Sequence, residues 1–250
     1  MRLDDLVAYL NEYLRVDEVE DYDRALNGLQ VENSGEVRHA AVAVDACQAV
    51  IDQAAQLGAD LLIVHHGLFW SGVQPVTGRA YRRLSALVRH DIALYSSHLP
   101  LDRHPQVGNN PVLARLIGVE VRGWWGEFRG SPLGVWGEVD VTREALGERI
   151  GAALGAAPMV IAGGPAKIHR VGIVTGAGGS LIGAAKDAGL DALVTGEGAH
   201  HTYHDAEELG VNVYYGGHYR TETVGVRALA EHVAERFQLP WSFIDHPTGL

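Results

Sequence analysis

Residues 59–70, ADLLIVHHGLFW, carry a short apolar run, Leu61 to Val64, that delivers two adjacent histidines, His65 and His66, into a glycine turn. A Val/Ile/Leu run without polar alternation fits a strand covered on both faces, and open α/β sheets bind their ligands at the carboxyl ends of such strands. Successive side chains of an extended segment point to opposite sides, so neighbouring histidines suit two metals, or one metal and one substrate group. The pair alone is equally consistent with an ordinary hydrogen-bonded strand end. Its meaning depends on partner ligands elsewhere in the chain.

Outward from this stretch, strands and helices alternate. Leu3, Leu6, Val7, Leu10, Tyr13 and Leu14 space out an amphipathic first helix, and NGLQVENSG reads as a polar connection. Strands are predicted at 37–45, 61–64 and 92–97, and helices at 46–57, 79–89 and 110–117. That order means βαβ units and a mostly parallel sheet. From Gly118 to Gly137 the pattern breaks into Gly and Trp, which places a domain boundary near 122. The second half resumes with strands near 133–139, 159–162, 168–175, 192–195 and 211–215, and helices at 143–154, 180–188, 200–209 and 221–237. The expectation is two similar α/β domains, 1–122 and 123–250, with the C-terminal helix free to pack on the first.

The two halves match each other. Laid without gaps, 37–67 against 168–198 pairs Ala46 with Ala177, Ile51 with Ile182, Ala54 with Ala185, Gly58 with Gly189 and Asp60 with Asp191, and sets His66 opposite Glu197. DIALYSSHLPLD (91–102) against VNVYYGGHYRTE (211–222) brings His98 onto His218 and Asp102 onto Glu222. Polar positions coincide as well as turn residues, which argues for internal duplication over the resemblance any two βαβ units share.

Composition bounds the function. The 250 residues are 47% hydrophobic and 20% charged, and no apolar run approaches the ~20 residues that span a membrane. Asp4 and Asp5 stand where an export signal carries basic residues, and the single Cys47 forbids an internal disulfide, so a cytoplasmic protein is expected. A net charge of −11 argues against a general nucleic-acid surface. Two bound divalent cations would still admit an anionic substrate locally.

Histidine is over-represented at thirteen. His218 and Glu222 share a face if the last helix begins before Glu222, although Thr221 and Glu222 also suit helix capping. His98 and Asp102 repeat the spacing, with Pro100 between them suggesting a loop. Two cations about 3.5 to 4 Å apart need a bridging carboxylate and a few terminal ligands. His65, His66, Asp102, His218 and Glu222 suffice, and this donor mix suits zinc, iron, manganese, cobalt or nickel. Glu197, His200, His201 and His204 form a further polar cluster, able to serve as further ligands, proton carriers or substrate contacts, with an unligated supporting role favoured over a third metal. VTGAGGS (174–180) resembles a phosphate cradle, or simply a tight turn. Cys47 reads as a packed side chain, and Trp124 and Trp125 as packing at an interface.

HHGLFW, SSHLPLD, GNN, VTGAGGS, TGEGAHH and GGHYRTETVGVRALAEH, in this order across nearly the whole chain, resemble the Nif-three-like family, the GTP cyclohydrolase 1 type 2 homologues. The resemblance implies two α/β domains with a dinuclear metal site between them, in subunits forming a homohexameric toroid. It places the ligands at His65, His66, Asp102, His218 and Glu222, with Glu222 suited to bridging. Gly67 replaces the family's usual proline, and His98-Leu99-Pro100 its usual His-Thr-Asn, so the wall facing the substrate differs. The activity implied is conversion of GTP to dihydroneopterin triphosphate and formate, with Glu197, His98 and His201 as catalytic proton carriers and a small molecule, such as a nucleotide, as partner. A dinuclear phosphoesterase or amide hydrolase, and a non-catalytic metal-binding, sensing or assembly protein, are the alternatives.

Overall fold

Burial along the apolar runs separates strand from helix throughout the computed structural model, which describes residues 1–23, 25–70, 72 and 74–249. The chain divides into two units, 1–107 with 226–246, and 108–225 with 247–250.

The first unit carries α1 (Leu3–Leu14), β1 (Gly28–Val31), β2 (Ala40–Asp45), α2 (Gln48–Gln56), β3 (Leu61–His66), α3 (Gly78–Arg89), β4 (Ala93–Ser96) and α4 (Leu99–Asp102). Its sheet runs β1-β4-β3-β2-β11, where β11 is Trp241–Phe243. All neighbours are parallel except the edge strand β1. The period of two sorts the core. Leu61 and Ile63 join a cluster with Leu3, Leu6 and Leu10 of α1, and Leu62 and Val64 join another with Val50, Ile51 and Ala54 of α2. A sheet covered on both faces needs apolar residues at every strand position, which is why β3 reads as a continuous run.

The second unit carries α5 (Asn109–Leu116), β5 (Glu120–Phe128), β6 (Ser131–Thr142), α6 (Arg143–Leu154), β7 (Met159–Ala162), β8 (Lys167–Val174), a 3-10 turn at Gly179–Leu181, α7 (Ile182–Asp187), β9 (Ala192–Thr195), α8 (Thr202–Leu209) and β10 (Asn212–Tyr215). The sheet order is β5-β6-β8-β9-β10-β7. Only β8, β9 and β10 run parallel; β5, β6 and β7 pair antiparallel, so parallel character is confined to the middle of this sheet. The last helix, α9 (His218–Phe237), belongs to the second unit up to Gly225 and to the first from Val226.

The division falls at Gly108 rather than near 122. The Gly/Trp stretch expected to separate the domains is instead a long hairpin, β5 turning into β6 through Arg129 and Gly130, both at positive φ (50° and 76°), as a two-residue turn matching strand twist requires. Helix α5 goes with it because Asn110 donates to Leu133 O at 3.0 Å and accepts from Thr175 N at 2.8 Å. Three further elements differ from the sequence reading. NGLQV supplies β1; WSF supplies β11; and LPLD forms one helical turn, since Pro100 sits in the first turn, where its missing N–H costs nothing.

The internal match is a structural repeat. Ala40 pairs with Leu61 in one sheet and Val171 with Ala192 in the other, the positions the ungapped match equates. Asp60 Oδ2 accepts from Arg38 N and His39 N at 2.8 and 3.1 Å; Asp191 Oδ2 accepts from His169 N and Arg170 N at 2.8 and 2.9 Å. The third strand is displaced by one residue, Ala93 pairing with Leu61 but Asn212 with Ala192.

Candidate metal centre

In the first unit, β3 ends on His65 and His66. Alternation sends neighbouring side chains apart, yet here the two rings come to 4.7 Å between centroids, and His98, capping α4, joins them at 5.0 and 5.6 Å. One donor atom from each of the three lies within 4.8 Å of the others, a group able to hold a metal ion. Each ring is fixed through Nδ1. His65 Nδ1 meets Ser97 O at 3.0 Å, His66 Nδ1 meets Asp45 Oδ1 at 2.9 Å, and His98 Nδ1 meets Asp21 Oδ1 at 2.8 Å. A carbonyl or carboxylate oxygen has no proton to give, so Nδ1 carries the hydrogen and Nε2 keeps its lone pair. That is the orientation metal-binding histidines take from their outer partners. Asp102, 5% exposed, places Oδ1 3.6 Å from His65 Nε2. The donor set fits a divalent cation of borderline softness.

Asp21 anchors more than the His98 ring. It also accepts from Asn27 Nδ2 at 2.8 Å, Leu99 N at 3.1 Å and Tyr22 N at 2.7 Å, while Asn27 Oδ1 accepts from His98 N at 2.7 Å. Burial alone would raise this carboxyl, but the hydrogen bonds from His98, Asn27 and Tyr22 hold it below the usual carboxylate range. Trp70 stands edge-on to His98 at 4.7 Å and to His66 at 5.6 Å, walling the group on an apolar side.

The second unit builds its donors at the matching strand ends. Helix α9 begins at His218, earlier than expected, so His218 and Glu222 share its face with Nε2 to Oε1 at 3.2 Å. Glu197, which follows β9, accepts from His218 Nδ1 at 2.8 Å. With no cation beside it, His218 is pushed up to about 9, first by the hydrogen bond to Glu222, against burial, and then by the charges of Glu222 and Glu197.

The glycine loop backs this pair rather than cradling phosphate. Three of its amides are spent internally: Gly176 N donates to Thr221 Oγ1 at 3.1 Å, Gly178 N to Thr195 Oγ1 at 2.9 Å, and Gly179 N to Glu197 O at 3.1 Å. Gly176 sits at φ 67°, and a Cβ there would stand 2.3 Å from Glu222 Oε1, so only glycine fits.

The other singled-out residues lie as follows. His201 is exposed, just before α8 and 4.0 Å from Asp205 of that helix, and His200 stacks edge-on against His204 at 6.0 Å. His104 is buried, its Nδ1 accepting from Gln106 N and Val107 N at 3.3 and 3.2 Å. Trp125 is buried with Nε1 donating to Val135 O at 2.6 Å, Trp124 is exposed, and Cys47 is a free thiol preceding α2. Asp21, Asp45 and Asn27 were not singled out from the sequence, and Thr221 was read only as a helix cap. Asp45 carried a signal as the polar end of AAVAVD, whereas Asp21 was hidden in an acidic run. Among the described residues, no helix is long and apolar enough to cross a membrane.

Comparison with known proteins supplies a family. The model described as Duf34/NIF3 (NGG1p interacting factor 3) matches residues 1–248. A protein of Deinococcus radiodurans named GTP cyclohydrolase 1 type 2 homolog is 42% identical over 249 residues, covering 99% of this chain and 94% of its own. An Escherichia coli K12 protein of the same name is 43% identical over 251 residues, covering 99% of both. A solved structure titled as the structural-genomics protein ybgI, of unknown function, superposes with a TM-score of 0.93 at 42% identity, covering 100% of both chains.

Proposed function

Because the chain belongs to the Duf34/NIF3 family, we propose that it is a dinuclear metal-dependent hydrolase, nominally one that converts GTP to dihydroneopterin triphosphate and formate with net consumption of water. One observation carries the reading: four imidazoles, His65, His66, His98 and His218, each fixed through Nδ1 by an acceptor, accompanied by the buried carboxylates Asp102 and Glu222. His65, His66 and Asp102 from the first unit, and His218 and Glu222 from the second, would hold two cations drawn from zinc, iron, manganese, cobalt and nickel, Glu222 bridging. Such cations supply Lewis acidity and hydroxide at neutral pH.

The chain's own groups do the rest. Asp45 and Asp21 keep the His66 and His98 rings in one tautomer; Glu197 does so for His218. Glu197, 44% exposed at its side chain, is the carboxylate placed to exchange a proton with solvent and substrate, and His98 is either a further ligand or a proton carrier. Relatives named GTP cyclohydrolase 1 type 2 homolog support the choice of substrate. The protein is read as a cytoplasmic homohexamer.

Metal-loaded protein incubated with GTP should release formate and develop a pterin chromophore. No turnover with any of the five metals would remove the cyclohydrolase assignment. No hydrolysis across a phosphoester and amide panel as well would leave a metal-binding or assembly role.

A further inference from the structure

The loop that leaves the histidine pair and the first turns of α3 line a cleft of about 900 Å³, wholly within the first unit. This is the size of pockets that enclose a drug-sized or nucleotide-sized ligand. Leu26, Leu68 and Phe69 give it apolar walls, Asp23 a carboxylate, and Arg79 and Arg83 two guanidinium groups. The arginines are four residues apart on α3, hence on one face. Arg83 Nε is buried and, among the described residues, has no hydrogen-bond partner. A buried donor of a charged group is costly to leave unmet, a cost that an acceptor from outside the chain, solvent or ligand, would relieve.

We propose that this cleft is the anion subsite of the enzyme, taking the phosphate chain of a nucleotide-sized substrate on Arg79 and Arg83, with the base packed against Leu26, Leu68 and Phe69. The substrate's identity as a nucleotide rests on the hydrolase reading above. Guanidinium forks match phosphate oxygens in pairs, which a point-charge lysine does not. A chain of net charge −11 has no general attraction for anions, so two cations on one helix face make a selective one. One loop serves both places: Phe69 lines the cleft, and its neighbour Trp70 stands edge-on to His66 and His98.

The test is calorimetric titration of the protein as purified with GTP and with inorganic tripolyphosphate, for the wild type, the Arg79→Gln/Arg83→Gln double variant and Arg83→Lys. The wild type should bind both probes, more weakly as salt rises. The double variant should bind at least tenfold more weakly with metal content and melting temperature unchanged, and Arg83→Lys should fall between. Equal affinity in wild type and Arg83→Lys as well as the double variant overturns the proposal, as does the absence of saturable wild-type binding to either probe. If the double variant does not fold, Arg83→Lys alone decides by the same criterion. Binding lost in the variants without turnover in any of them keeps this subsite and removes the hydrolase; turnover with an unchanged KM in the variants keeps the hydrolase and removes the subsite.

Discussion

Glu197 and Asp21 do the same work for different rings, each turning one imidazole through Nδ1. Glu197→Gln weakens the acceptor while keeping the side chain's shape, so metal affinity measured by calorimetry should fall roughly 10- to 100-fold with little change in the melting temperature of the metal-free protein. His104 gives a pH signature away from this chemistry. Burial, helped by neighbouring His232, pushes it down to about 4, and its Nδ1 is already accepting backbone amides. The folded state therefore binds fewer protons than the unfolded chain, whose histidine titrates near 6.5. Stability from this group is complete above about 6.5 and is lost as pH falls toward 4, by about 3 kcal/mol in all. Urea unfolding across that window should show the slope, and His104→Asn, which keeps an acceptor oxygen without a titrating ring, should flatten it. At this scale the sequence showed which residues had donor atoms. It did not show Asp21, because a carboxylate in a run of acids is distinguished only by the ring it touches.

The strands and their turns set where these donors stand. β3 is buried on both faces, and Leu62→Ala would leave a cavity beneath α2, costing about 2 to 5 kcal/mol in denaturant unfolding. The glycine loop is tested by Gly176→Ala. A methyl group in the left-handed region and 2.3 Å from Glu222 Oε1 must displace that carboxylate, so metal content should drop along with stability. A variant that keeps its metals would show that Glu222 is not a ligand. Continuous apolar runs made β2, β3, β4 and β9 legible. β6 was read only in part, as 133–139, and β5 not at all, because glycine is a poor strand former by propensity and is admitted here by close approach of neighbouring chain: a Cβ on Gly137 would stand 2.4 Å from Glu120 O. Pro100 misled in the opposite direction, since its effect depends on whether it falls in a first turn or an interior one.

For the molecule as a whole, the two-cation reading predicts that protein stripped with chelator melts lower than reloaded protein, by an increment that grows with free metal. Glu222→Gln should lose both ions by elemental analysis; retention of two per subunit would refute bridging. Light scattering should find six copies. Apolar periodicity and the match between halves determined two α/β units and the correspondence of Asp60 with Asp191, because each follows from local pattern and burial. The histidines, Asp102 and Glu222 could also be named from sequence, since residue type alone limits what binds metal. The division at Gly108, the one-residue displacement of the third strand, the Nδ1 partners and the spending of the glycine loop's amides were decided only by tertiary structure. Each depends on which distant backbone or side-chain atom reaches a group first, and spacing along the chain does not contain that.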